Sequence, residues 1–489
     1  MRIAVAELPG ARLDEWEAVL GRITDRVARA AALGAELLVL PECAFPAYVL
    51  GTRAAYDSAR RAGLPPPDVF IQRLQAAARR WGIALCAGFV AEEGDALRNA
   101  AAVVAADGTV CGVRHKAFLW DFDRDYFTPA EALAPVDTPL GRLGVLICAD
   151  ARLPELPAAL VSQGATLLVQ PTAWVNAGRP DRPWNPQPDF LIAARAREFG
   201  VPIASASKAG WEGGHEFVGG ALVCDAQGNV AAFDQRDGAA VVCSDVAVPP
   251  APRPPRRTAA LRTLLAERGP VTPPPGNVPP LHVVALAEDA PAARRALRAA
   301  LPPEALALGI VVPLPARSDA VDAGGLCRRC EEDHGLWVLG AGAGRGCEVE
   351  LSSPAAGQAT IRVAVLPVGD ADDFAPARLA ALRGAHLVVF AGGTPNLAVL
   401  RARACENRVF VAAVGQNLTI IGPSGNVLGQ RSPHSGICAA RILVGAAASK
   451  CVARGTDVFR DVARRLATEV ISRRSETVFE QYGSGLEFG

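Results

Sequence analysis

Lysine is almost missing from this chain. Of its 50 basic residues, only Lys116, Lys208 and Lys450 are lysine, and every other one is arginine. A lysine kept against that bias is either an accident of mutation or a place that needs a compact ammonium in preference to a planar guanidinium. Net charge is missing too. Fifty acidic residues balance the 50 basic ones, so no global field draws the chain to nucleic acid or to an anionic membrane. A small neutral partner fits better. Long apolar runs are absent: Leu37 to Leu40 and Val363 to Leu366 are strand-sized, far short of the roughly 20 residues that span a bilayer. The amino terminus meets Asp14, Glu15 and Glu17 before any secretory apolar core could form. The 12 cysteines stand singly in apolar surroundings, which points to a reduced, cytoplasmic protein and not to a disulfide scaffold.

What is present is ordinary globular material, half hydrophobic and one fifth charged. At 489 residues it is about twice the length at which one core stops growing, so two domains are expected. Strands are predicted at residues 3–8, 36–40, 83–89, 100–105, 110–113, 143–147, 166–170, 202–206 and 221–224. Helices are predicted over 13–33, ended by Gly34, and over 68–81 and 154–163, and Asp107-Gly108 reads as a hairpin turn. This alternation is an α/β domain with layered sheets and outer helices.

Eleven prolines between Pro249 and Pro280 mark a linker, placed at 251–280, between a first domain at 1–250 and a second at 281–489. The second half echoes the first. Gln163-Gly-Ala-Thr-Leu-Leu-Val returns as Arg383-Gly-Ala-His-Leu-Val-Val, Arg195-Ala-Arg-Glu as Arg403-Ala-Cys-Glu, and Gly228-Asn-Val as Gly425-Asn-Val. Three matches in one order argue for a duplicated fold, against the alternative of two unrelated α/β domains of similar composition.

Chemistry gathers at strand ends. Glu42 follows a strand through Pro41, and Cys148 follows Gly-Val-Leu-Ile just as sharply; Lys116 lies between them after the hairpin. A cysteine needs a base to become a thiolate, a buried carboxylate can be that base, and an ammonium can hold an oxyanion. Taken singly, each has a plain reading as a buried small side chain, a loop cap or a surface charge. Together they suffice for acyl transfer.

The three motifs, with Gln170-Pro-Thr-Ala-Trp, the stretch from Arg195 to Ala206 and Phe217-Val-Gly-Gly to Gly228, resemble the nitrilase superfamily of carbon-nitrogen hydrolases over residues 1 to 250. The resemblance implies an α-β-β-α four-layer sandwich with Glu42, Lys116 and Cys148 as the catalytic set. It also implies a second carboxylate, which counting back from Tyr126-Phe127 places at Asp123, one methylene shorter than the family glutamate. Asp121 and Asp125 are neighbours able to compensate. Ala149, Tyr48, Trp120, Arg152 and Trp174 are the candidates for oxyanion and substrate contact, and Arg179 and Arg182 for a substrate carboxylate. Trp184 and Trp211 also fall near the motif loops. Cys148 is followed by Ala149-Asp150, where nitrilases carry Trp-Glu, so an amide or carbamoyl substrate is favoured over a nitrile. No cofactor or metal is expected. A silent scaffold that keeps the motif without turnover is the non-enzymatic alternative.

The second half lacks the set. Leu314 stands where Glu42 would, Pro367 or Val368 where Cys148 would, and no lysine lies between them. Its expected role is packing, as the partner in an internal pseudo-dimer, compatible with further homo-oligomers. Cys327-x-x-Cys330 with His334 and Cys347 lacks a second tight pair and reads as structural rather than as a zinc site. His115 reads as structural as well.

Overall fold

In the computed structural model the chain divides into two compact units, one built on Met1–Pro255 with the short return Ala453–Thr456, the other on residues within Arg256–Val452. The structure describes residues 1–178, 182–251, 281–286, 306–311, 327–330, 333–340, 347–352, 360–392, 395–414, 418–431, 439–447, 450–453 and 456–459. The proline-rich segment 252–280, Arg179 and Leu314 lie outside them, as do the side chains of Cys327, Cys330, His334 and Cys347.

The strands of the first unit are β1 (Arg2–Ala6), β2 (Leu8–Pro9), β3 (Leu37–Val39), β4 (Ala84–Glu93), β5 (Ala96–Val104), β6 (Val110–His115), β7 (Val136–Thr138), β8 (Gly141–Val145), β9 (Leu167–Thr172), β10 (Ile203–Glu212), β11 (His215–Val218), β12 (Ala221–Cys224), β13 (Val230–Asp234) and β14 (Val241–Asp245). They form two sheets, ordered β14-β1-β3-β4-β5-β6 and β13-β12-β10-β9-β8-β7, with β2 and β11 attached to β10. The central strands β1, β3, β8 and β9 are buried on both faces, which is why they read as unbroken apolar runs.

Helices cover the outer faces. In α1 (Trp16–Ala32), Val19, Ile23, Val27 and Ala30 make one buried stripe, and Gly34 at φ +72° lets the chain leave. In α3 (Pro67–Trp81), the first-turn proline costs no hydrogen bond, Phe70, Leu74 and Ala78 are buried at spacing four, and Gly82 supplies the left-handed cap. A polar helix, α2 (Arg53–Arg61), precedes it. On the other sheet α4 (Glu155–Ser162) is buried nearly all round, and α5 (Ile192–Phe199) is capped by Gly200. Helix, sheet, sheet, helix is the expected four-layer order.

The second unit has β15 (Leu281–Leu286), β16 (Leu306–Val311), β17 (Cys327–Cys330), β18 (Asp333–Gly340), β19 (Cys347–Ser352), β20 (Thr360–Pro367), β21 (Leu387–Ala391), β22 (Phe410–Val414), β23 (Leu418–Ile421), β24 (Val427–Arg431) and β25 (Ala439–Ile442). Its sheets are β17-β18-β16-β15-β25 and β19-β20-β21-β22-β23-β24. The latter repeats the β7 to β13 ladder: antiparallel, two parallel pairings, then two antiparallel ones, with a bulge in the last pair of each.

Details recur with the ladder. Arg142 donates to the Gln163 carbonyl beside Gly164 at φ +92°, and Arg362 to the Arg383 carbonyl beside Gly384 at φ +94°. Buried Arg195 pairs with Glu198 and donates to the Ala151 carbonyl at 3.1 Å; buried Arg403 pairs with Glu406 and donates to the Ala371 carbonyl at 3.0 Å. Leu143 is paired with Leu167 and Val363 with Leu387, so stepping along both strands in register brings Cys148 and Val368 to the same place. Val368, and not Pro367, is the counterpart of the cysteine.

Candidate active site

Each loop of the site leaves a strand end through a strained residue. Among the described residues, five non-glycines have positive φ, and three of them are here: Cys43 (+38°) beside Glu42, Asp121 (+40°) two before Asp123, and Cys148 (+47°) itself. Such conformations cost about 1–3 kcal/mol each and persist only where the surroundings enforce them.

The enforcement can be named. After β3 the chain crosses toward the second sheet, where the Glu42 N–H donates to the Thr172 carbonyl at 3.2 Å. Gly88 on β4 lies directly under this turn; a Cβ there would sit 2.4 Å from the Pro41 oxygen and 2.6 Å from the Glu42 Cα. Lys116 follows β6, held by its N–H to the Asn99 carbonyl. Asp123 sits in a 3-10 turn, Asp121–Asp125, and Cys148 opens another, Cys148–Arg152. Asp150 ties the last two loops together. One of its oxygens accepts from the N–H groups of Ala117 (3.2 Å) and Phe118 (2.7 Å), the other from Ile147 (2.9 Å).

At the centre, Lys116 Nζ donates to Glu42 Oε1 and Asp123 Oδ2, both at 2.6 Å, and lies 3.3 Å from the Tyr48 hydroxyl. All three charged side chains are fully buried. The tight turn brings the Asp123 backbone close enough for the shorter side chain to reach Lys116 without Asp121 or Asp125. Two carboxylates against one ammonium would leave an uncompensated buried negative charge, so one carboxylate holds its proton to higher pH. That group is Glu42. Burial chiefly raises its pKa, to about 7, with Asp123 adding to the rise and Lys116 and Asn99 opposing it. Burial works against the charge on Lys116, but Asp123 and then Glu42 outweigh it and hold the pKa well above the ordinary lysine value.

Cys148 is 6% exposed, and its Sγ lies 3.7 Å from the Ala173 carbonyl. Burial, then the charge of Glu42, pushes the thiol up to about 12, against the pull of Lys116. The resting group is therefore a thiol that must lose its proton as it reacts. Cys43 is fully buried, and burial holds its pKa well above the ordinary thiol value.

The remaining expected residues divide. The Tyr48 ring packs on Phe122 and Phe217 and its hydroxyl reaches Lys116. Trp120 donates its backbone N–H to Asp123 at 2.8 Å, and Arg152 stacks over its ring at 4.3 Å. Trp174 is fully buried, and among the described residues its indole N–H has no hydrogen-bond partner. Ala149 follows Cys148 in the same turn. Trp211 is 68% exposed on the far part of β10, and Trp184 donates to Asp189. Arg182 is exposed, and His115 lies 3.6 Å from Glu93.

Sequence reasoning assigned no role to several buried polar residues. Asn99 donates to Glu42 at 2.7 Å. Glu212, paired with Lys208 at 2.5 Å, accepts from the backbone of Tyr48, Val49 and Ala11. Gln170 donates to the Cys148 carbonyl. Their one available signal was a polar residue inside an apolar strand.

A buried thiol, a carboxylate that changes charge near neutrality and a fixed ammonium are the equipment of acyl transfer. The sequence is 32% identical over 218 residues to an omega-amidase from Danio rerio, covering 42% of this chain and 74% of that one. It is 29% identical over 231 residues to an (R)-stereoselective amidase from Pseudomonas sp, covering 47% and 79%. Among solved structures, an amidase from Nesterenkonia sp. AN1 superposes with a TM-score of 0.46 at 28% identity, covering 54% of this chain and 98% of that one. The carbon-nitrogen hydrolase family pattern matches residues 2–249, just over half of the chain and nearly all of its first unit, and to that family the protein belongs.

Proposed function

We propose that the first unit is an amidase that cleaves the carbon-nitrogen bond of a small amide or carbamoyl compound through a thioester on Cys148. The observation that carries this reading is the buried Glu42–Lys116–Asp123 cluster set against the thiol. Among the described residues Glu42 Oε2 is buried without a hydrogen-bond partner, and it takes the Sγ proton as sulfur attacks the carbonyl carbon. The carbonyl electron pair moves onto oxygen, which Lys116 Nζ and the Ala149 N–H stabilise. On collapse the carbon-nitrogen bond breaks, and Glu42 returns its proton to the departing nitrogen, releasing ammonia or an amine. Water then gives a proton to Glu42 and attacks the thioester; collapse expels the Cys148 sulfur, which recovers the proton. Asp123 Oδ1, buried and without a partner among the described residues, orients that water.

Tyr48, Trp120, Arg152 and Trp174 shape the substrate side of the site. The relatives named above are amidases, which supports an amide over a nitrile. The second unit, with Val368 in place of the cysteine and the same ladder, is read as a duplicated copy retained for packing, the internal partner of the first. Eight free thiols among the described residues support a reducing, cytoplasmic setting. Among the described residues no helix is long and apolar enough to cross a membrane.

The test is ammonia release from a panel of small amides, carbamoyl compounds and nitriles, with intact-mass detection of an acyl adduct. Cys148→Ala should abolish both signals, and Cys43→Ala should leave both largely intact. Full turnover by the Cys148 variant would end the proposal.

A further inference from the structure

Behind the nucleophile lies a polar group that the mechanism above does not use. Gln170 is fully buried on β9, and its Nε2 donates both to the Cys148 carbonyl (2.8 Å) and to Gln187 Oε1 (2.7 Å). Its Oε1 accepts from the Ser205 hydroxyl at 2.7 Å, across the ladder where the two residues are register partners. Ser205 is fully buried and Gln187 nearly so. A carbonyl can only accept, so the nitrogen of Gln170 must face Cys148, and the serine fixes the other end of the amide. Three buried polar side chains are costly to bring together, and a satisfied network specifies one geometry.

The Cys148 carbonyl and the Ala149 N–H belong to one planar trans peptide group, in which they point in opposite directions. Holding the carbonyl therefore aims the N–H. Cys148 at φ +47° is strained, so this peptide plane is one that would rotate if released. We infer that Gln170, keyed by Ser205 and Gln187, is a positioning residue that locks the Cys148–Ala149 peptide with its N–H turned toward the oxyanion. The inference rests on Cys148 being the nucleophile.

The second unit supplies an independent control. In the repeated ladder the counterpart of Gln170 is Phe390 and that of Ser205 is Ala413, and the counterpart of Cys148 is Val368. The fold forms there without the network. The polar pair is present in the unit that has the cysteine and absent from the unit that has lost it, as a role in the reaction requires.

Two reactions at one sulfur separate aiming the N–H from merely supporting the thiol. Acetylation by p-nitrophenyl acetate forms the sulfur–carbon bond and expels p-nitrophenolate through a tetrahedral oxyanion. Alkylation by iodoacetamide forms a sulfur–carbon bond and expels iodide with no oxyanion; in both, Glu42 takes the thiol proton. Gln170→Leu in the full chain should slow acetylation of Cys148 by about 10²-fold, the scale of losing one oxyanion donor. Its alkylation should stay within about threefold of the parent. Ser205→Ala, a milder change that tests the idea even if the leucine variant folds poorly, should lower the acetylation-to-alkylation ratio in the same direction by about three- to tenfold. Parallel loss of both reactions, or an unchanged ratio in both variants, would overturn the inference. A parent protein whose Cys148 takes neither label would instead remove the nucleophile assignment beneath it.

Discussion

Replacing Asp123 by asparagine removes a charge while keeping the hydrogen bonds of the resting site; only the later water step loses an acceptor. The oxygen that accepts from Lys116 Nζ and from the Trp120 N–H is the same atom, Oδ2, so an asparagine oxygen in its place keeps both bonds. The amide nitrogen then falls at Oδ1, which among the described residues has no partner in the resting site, and thiol alkylation does not pass through the water step. Asp123 and Glu42 each lie 2.6 Å from one ammonium nitrogen, which puts their bonded oxygens at most about 5 Å apart. Two charges at that distance repel by about 3 kcal/mol at an effective dielectric of about 20. At 1.36 kcal/mol per unit this is worth about 2 pKa units. Asp123 raises the Glu42 pKa and Lys116 lowers it, so removing Asp123 lowers it on both counts, since the ammonium is then shared with no other carboxylate.

Glu42 must be ionised to take the thiol proton. In the parent protein the reaction should fall as pH drops through about 7, and in Asp123→Asn that limb should move down by about 1 to 2 units. A weaker base also means a lower plateau. The ratio of variant to parent rate should therefore rise as pH falls from 8 to 6. Iodoacetamide labelling of Cys148, followed by peptide mass at each pH, reads this without knowledge of the substrate; Glu42→Gln should abolish the limb. An unmoved limb, or one moved upward, would mean that the two carboxylates do not share the lysine in solution.

Two further substitutions probe the same centre. Lys116→Arg asks a planar fork to fill a fully buried slot built for a point charge, and kcat/KM on any amide the parent hydrolyses should drop by about 10²-fold or more; near-normal kinetics would place Lys116 outside the reaction. Gly88→Ala would drive a methyl group into the backbone of Pro41, Glu42 and Cys43. Overpacking of this kind costs about 1–3 kcal/mol, read as a Tm lower by roughly 3 to 10 °C together with lost turnover; an unchanged Tm would show that the turn is looser than its contacts imply.

Glu42 and Cys148 could be found in the sequence because each follows a strand whose apolar run is unmistakable, and Lys116 because a lysine stands out in an arginine-rich chain; the strand before it, Val110–His115, has no buried residue. Helices α1 and α3 were legible through a continuous buried stripe. Helix α2 was not: only Tyr56 of its nine residues is buried, so it has no stripe to read. β4 and β5 run on into Glu93 and Ala96, joined through Gly94 at φ +56°, because the ladder continues where apolar composition stops. β10 likewise continues through Lys208 and Glu212, whose charges suggest a loop and are in fact buried against each other. The roles of Asn99, Gln170 and Ser205 escaped, although the last two lie in stretches that carry the family resemblance, because their partners lie across a sheet and a linear reading sees the polar residue without what it touches.

The matched ladders of the two units have a consequence for how any variant of this protein is interpreted. One chain holds two answers to a single architectural problem, and only the first has a cysteine, Cys148, at the end of this strand, where the second has Val368. The arginine-to-carbonyl contacts and the glycine turns occur in both, and so report what the architecture demands. The cysteine, the glutamine behind it and the serine across from it occur in one, and so on the proposed mechanism report what the reaction demands. A lesion at Arg195 can be compared with its twin at Arg403 under the same conditions in the same molecule, which separates damage to the frame from damage to the chemistry without recourse to a second protein.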